Sequence, residues 1–162
     1  MIKRFAVRSL LPLLLLWAGW LYADGEVTSS SPVAIVANEN VSVDNLSLQE
    51  LRRIFLADKQ YWPDRTRIIL LVQAPNAYER QVVLDRIYEM NENEYKRYWV
   101  AKMFRAEVPS GPKIVFSTNM ARELVSSLKG AITFIRADAV QGHGKILSID
   151  QKLPGDPGYP LM

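Results

Sequence analysis

The 162-residue chain contains no cysteine and a single histidine, His143. Without cysteine there is no disulfide framework, no thiolate zinc site and no thiol nucleophile. With one histidine there is no multi-histidine metal centre and no H-E-x-x-H helix. The motifs of phosphate-cradling enzymes are missing too: no P-loop, no G-x-G-x-x-G, and no G-x-S-x-G nucleophile elbow. His143 stands between two glycines in a loop, and carboxylate pairs such as Asp85 with Glu89 occupy exposed helix positions. The reading is therefore that the chain is not an enzyme and carries no metal or cofactor.

The charge balance needs correction before it is used. The formal charge is +3 and the pI about 9.2. Lys3, Arg4 and Arg8 precede an apolar run over residues 10–23, and Asp24 and Gly25 break it. This basic, apolar, then small-residue layout is that of a secretory signal peptide, with cleavage expected after Ala23. The run is shorter than the ~18–20 apolar residues of a membrane span. Removing the three leader cations from the 20 basic residues leaves 17, equal to the 17 acidic ones. A balanced remainder argues against nucleic acid as a partner, since nucleic-acid binders concentrate positive charge in the folded domain. The expected location is periplasmic.

Residues 24–32 read as a flexible, serine-containing lead-in. Residues 33–37 (V-A-I-V-A) form a continuous apolar run, as in a strand buried on both faces. Residues 38–45 read as a loop. Ser47 and Glu50 make a capping box, and Leu48, Leu51, Ile54 and Phe55 follow at helical spacing to about residue 57. Residues 58–67 are a loop containing Trp62, Pro63 and Asp64, with Trp62 expected to anchor it against the sheet edge. A second buried strand covers 68–72, and an amphipathic helix 79–90. Asn91 and Glu94 cap a further helix to 104, with Tyr95, Tyr98, Trp99 and Met103 on its apolar side and Lys96, Arg97 and Lys102 on a solvated or partner-docking face. A Pro/Gly loop (105–112) leads to a short strand at 113–116. Ser117 opens a helix that Gly130 ends. Strands at 131–135 and 145–149 follow, and the chain closes in an irregular Pro/Gly tail, 151–162. Alternating helices and fully apolar strands indicate an α/β fold with a layered sheet and helices on both faces, forming one domain over 33–150.

The segments V-A-I-V-A-N, L-S-L-Q-E-L-R-R-I-F-L-A, W-P-D, I-I-L-L-V and G-A-I-T-F-I together resemble phosphate-binding proteins of ABC transporters, two-lobed periplasmic solute-binding proteins. The resemblance spans about 33–139 and implies a three-layer α/β/α lobe like one domain of a type 2 periplasmic binding protein, here the second lobe alone. Ala57 stands where the family has glycine. In the family the strand matching 68–72 is followed by an arginine and a Ser-Gly-Thr turn that contact phosphate. Here Gln73 stands near the arginine position, and Asn76, Ala77 and Tyr78 fall at the turn, with Glu79 placed to repel an anion. Ser117, Thr118 and Asn119 supply either a second set of anion donors or an ordinary helix cap. The implied function is a solute-binding-like component with a degenerate site for phosphate or another oxyanion. The implied partners are a membrane transporter or envelope protein, with a homodimer supplying the missing wall. An interaction or sensory module that kept the lobe and does not bind the anion is the alternative.

Overall fold

The computed structural model describes residues 31–162. The leader expected at 1–23, and the lead-in up to residue 30, lie outside the described residues.

Strand β1 (Val33–Ala37) has all five residues fully buried. Its side chains alternate between two cores: Val33, Ile35 and Ala37 on one face, Ala34 and Val36 on the other. Both of its edges are also occupied. It pairs antiparallel with β5 (Ala131–Arg136) and with β6 (Lys145–Ile149), so that Ile35 lies between Phe134 and Leu147. Strand β3 (Ile69–Gln73) runs parallel to β5 and to β4 (Lys113–Val115). A two-residue strand, β2 (Asn45–Leu46), joins β6 in parallel, and the sheet order is β2-β6-β1-β5-β3-β4. Strand β2 begins at Asn45, the last residue of the loop expected at 38–45, and two residues are too few to show a period.

Helices α1 (Leu48–Phe55), α2 (Tyr78–Val83) and α3 (Glu92–Phe104) cover one face, and α4 (Thr118–Ser127) covers the other. The handedness rule explains this split. The chain steps outward from β3 to β4 through α2 and α3, then back across β3 to β5 through α4. A right-handed crossover that reverses direction must use the opposite face.

The local signals at the helix starts are realised. Ser47 and Asn91 each accept from a backbone N–H of the first turn, while Glu50 and Glu94 accept from the cap backbone N–H groups. The helix expected at 79–90 changes pitch: α2 passes into a π-helical turn, Leu84–Tyr88, which ends at Glu89 in the left-handed region (φ 51°). The solvated face expected for Lys102 is corrected. Lys102 is buried, donating to the Leu56 carbonyl and to Asp58, both at 2.6 Å. The Leu56 carbonyl, which also accepts from the Tyr98 hydroxyl (2.8 Å), carries the negative end of the α1 dipole and attracts the cation. Met103, expected on the apolar side of α3, is exposed. Trp62 is buried, and its indole N–H donates to the Gly130 carbonyl (2.9 Å). The irregular final segment packs on the core. Leu161 is fully buried and its carbonyl accepts from Val33 N–H, while the Tyr159 hydroxyl donates to the Val33 carbonyl, both at 2.9 Å.

Two residues at element ends have measurable consequences. After α1, Asp58 N–H donates to Arg53 C=O and Ala57 N–H to Ile54 C=O, a Schellman motif that holds Ala57 at φ 55°. A Cβ in that region costs roughly 1 kcal/mol, so Ala57→Gly is expected to raise unfolding stability by about 1 kcal/mol in urea titration. At the end of β1, Asn38 donates through Nδ2 to the carbonyls of Val125 and Ser126 (2.8 and 2.9 Å), which the end of α4 leaves unpaired. Asn38→Ala strands these acceptors in a buried position. It is expected to cost about 2 kcal/mol in the same titration.

Candidate functional site at the carboxyl ends of β3, β4 and β5

Three parallel neighbours end side by side, with Gln73 paired to Val115 in the register of β3 and β4. Ala74 N–H donates to the Val115 carbonyl (2.8 Å), so the 74–77 turn and the 116–117 connection run next to each other. In open α/β sheets, ligands bind in the crevice outside such strand ends. The structure thus puts the two groups of residues singled out in the sequence on adjoining segments: Gln73, Asn76, Ala77 and Tyr78 on one, Ser117, Thr118 and Asn119 on the other.

Their individual settings differ. Gln73 is buried, and its Nε2 donates to the Phe134 carbonyl at 3.4 Å. Asn76 is exposed and adopts φ 73°, a conformation asparagine tolerates better than most residues. Ala77 is the N-cap of α2 and supplies no side-chain acceptor, and Tyr78 is partly exposed. Ser117 caps α4 by accepting from Met120 N–H (3.1 Å). Thr118 is half-buried, and Asn119 accepts from the Arg122 guanidinium.

A residue that the sequence reading passed over fixes the turn. Arg80 is 3% exposed. Its Nη1 donates to the Gln73 carbonyl (2.7 Å), while Nε and Nη2 form a two-pronged contact with Glu92, each at 2.9 Å. Its guanidinium carbon lies 4.6 Å from the centroid of the Tyr95 ring. Burial is the largest single influence and opposes the charge, but the hydrogen bonds to Glu92 together with charge interactions from Tyr95, Glu92 and Tyr88 outweigh it and hold the Arg80 pKa above the ordinary value. Arg80 shares a helical stripe with Val83, Leu84 and Ile87, all buried. That spacing was the available sign that it points inward.

The cations at this edge are engaged by protein groups. Arg80 is tied to Glu92, Arg136 to Asp138, and Arg122 to Asn119, Gln141 and the Ala139 carbonyl. Asp138 draws the Arg136 pKa up, with a smaller contribution from Glu79. Glu79 itself is 9% exposed and has no side-chain hydrogen bond or ion pair among the described residues. The edge also exposes apolar side chains: Phe116 (77%), Tyr78 (38%) and Met120 (36%). Among the described residues no cluster of His, Asp and Glu is arranged to hold a metal ion, and no helix is long and apolar enough to cross a membrane.

This is the fold of a solute-binding-protein lobe: a six-stranded mixed sheet between helices. Solved structures share this fold. A phosphate ABC transporter substrate-binding protein with bound phosphate from Clostridium perfringens matches with TM-score 0.60 and 14% identity, over 75% of this chain and 46% of its own. An ABC-type phosphate transport receptor from Vibrio cholerae matches with TM-score 0.60 and 17% identity, over 76% and 48%. PstS from Borrelia burgdorferi matches with TM-score 0.60 and 14% identity, over 76% and 49%. The chain spans about half the length of these structures. No known family profile matches the sequence, and no curated protein matches it.

The Arg80–Glu92 pair gives a direct test. Glu92→Ala leaves a buried guanidinium short of its partner and is expected to lower stability by about 3–5 kcal/mol. The double variant Arg80→Met, Glu92→Met removes both charges and is expected to recover most of that loss, read by denaturant unfolding.

Proposed function

We propose that the chain is a periplasmic solute-binding-like component of the phosphate ABC-transporter type, working as a single lobe with a degenerate site for phosphate or another oxyanion. The observation that carries this reading is the position of the two turns. The 74–77 and 116–117 segments adjoin beyond the ends of parallel β3 and β4, in a fold shared with phosphate-transport receptors. The start of α2 has no side-chain cap, which leaves its first-turn amides available to an anion. Asn76 and Tyr78 add neutral donors, with Ser117, Thr118 and Asn119 on the adjoining turn. The nearby arginines are engaged elsewhere and Glu79 repels an anion, so the affinity is low. The export-type leader supports the periplasmic location. The partner in this reading is a membrane transporter, with a second copy of the chain closing the crevice.

A second reading rests on a separate observation. Phe116, Tyr78 and Met120 are exposed around the same edge. Aromatic residues and methionine are enriched in protein interfaces. Here the lobe serves as an interaction or sensory module docking to an envelope protein, without an anion.

Calorimetry with phosphate and sulfate separates the two. The oxyanion reading expects saturable heat in the millimolar range. Glu79→Gln then tightens phosphate binding about three-fold by removing repulsion at the helix start. Absence of heat up to about 10 mM phosphate overturns it and leaves the docking module. Sedimentation with and without phosphate tests the second copy.

A further inference from the structure

The opposite end of β3 holds a cavity of about 250 Å³. Its origin lies in the loop before β4. Pro112 has no N–H to add to a ladder, so pairing with β3 begins only at Lys113, opposite Leu71. Ile69 and Leu70 therefore have a strand neighbour on the β5 side alone, and they remain half-buried. The 109–112 loop passes beside this uncovered stretch and walls the cavity.

The lining has a definite chemistry. Ile54, Leu70 and Trp99 contribute apolar surface, while Lys59, Arg67 and Lys113 contribute cations, and no Asp or Glu lines the cavity. Lys59 contacts Glu50 at 3.5 Å. Arg67 and Lys113 have no ion pair among the described residues. Glu107, in the adjoining loop, directs its carboxylate to Arg105 and Lys102 instead. Positive charge thus gathers over an apolar floor at this end of the sheet, whereas the arginines of the carboxyl edge are engaged by protein partners.

We propose that this cavity is a binding site for a small organic anion, a carboxylate carried on an apolar body. The apolar part lies on Ile54, Leu70 and Trp99, and the carboxylate meets Arg67 and Lys113. The volume equals roughly eight waters, enough for one aromatic or branched-chain acid. A bare inorganic anion gains less here, because the floor offers nothing in exchange for its hydration. The cavity and the carboxyl edge lie at opposite ends of β3, so this proposal and the phosphate reading stand or fall separately.

Benzoate is the probe, with benzyl alcohol as the neutral control and phosphate as the bare-anion control. The readout is amide and indole NMR shifts at Ser110, Gly111 and Trp99 in the intact protein. Benzoate is expected to produce saturable shifts in the millimolar range, with weaker effects from both controls. Arg67→Gln and Lys113→Gln are each expected to weaken benzoate about tenfold, while Asn76→Ala leaves it unchanged. Both charge variants lie at the surface and keep the wild-type spectrum elsewhere. No shift at these residues up to about 20 mM benzoate overturns the proposal. Equal binding of benzyl alcohol, or unchanged affinity in both charge variants, overturns it as well.

Discussion

Complete burial of β1 is the constraint from which the architecture follows. A strand with every side chain at zero exposure needs a packed layer on each face and a strand on each edge. The edges are filled by β5 and β6, and the two faces require separate cores. Burying large apolar side chains stabilises by about 1.5–3 kcal/mol each. Both ends of β1 are further tied to distant chain: Val33 to the final segment through Leu161 and Tyr159, and Asn38 to the end of α4. The last residues are thus part of the same core although they form neither helix nor strand.

At the carboxyl edge the dominant element is the Arg80 guanidinium. In one buried position it satisfies the last carbonyl of β3, the carboxylate of Glu92 at the start of α3, and the face of Tyr95. It ties the end of β3 to the start of α3, with three of its five N–H donors used in these bonds. The solved phosphate-transport structures share the fold at 14–17% identity. That likeness concerns the backbone fold, and the side chains at the carboxyl edge are this chain's own.

Legibility in the sequence followed the range of the interactions. The capping boxes at Ser47 and Asn91 are three-residue signals and appear in the structure as read. Strands β1, β3 and β5 were visible because burial on both faces leaves a continuous apolar run. Ala57, standing where the similar family has glycine, proved to occupy a left-handed position, which supplies the physical reason for that glycine. Contacts between distant residues left no such trace. Arg80 with Glu92, and Lys102 with Asp58 across 44 positions, look like surface charges in the sequence.

What the sequence by itself determined is the helices and strands long enough to show a period, two of the helix caps, and the α/β layering, all properties of neighbouring residues. The tertiary structure alone decided which charges are buried and which side chains share an edge. Only folding shows that the arginines near the carboxyl edge are engaged by protein partners, while Arg67 and Lys113 line one cavity at the other end of β3. The reason is geometric: a parallel sheet places residues from distant turns side by side at its ends, and no local pattern encodes that adjacency.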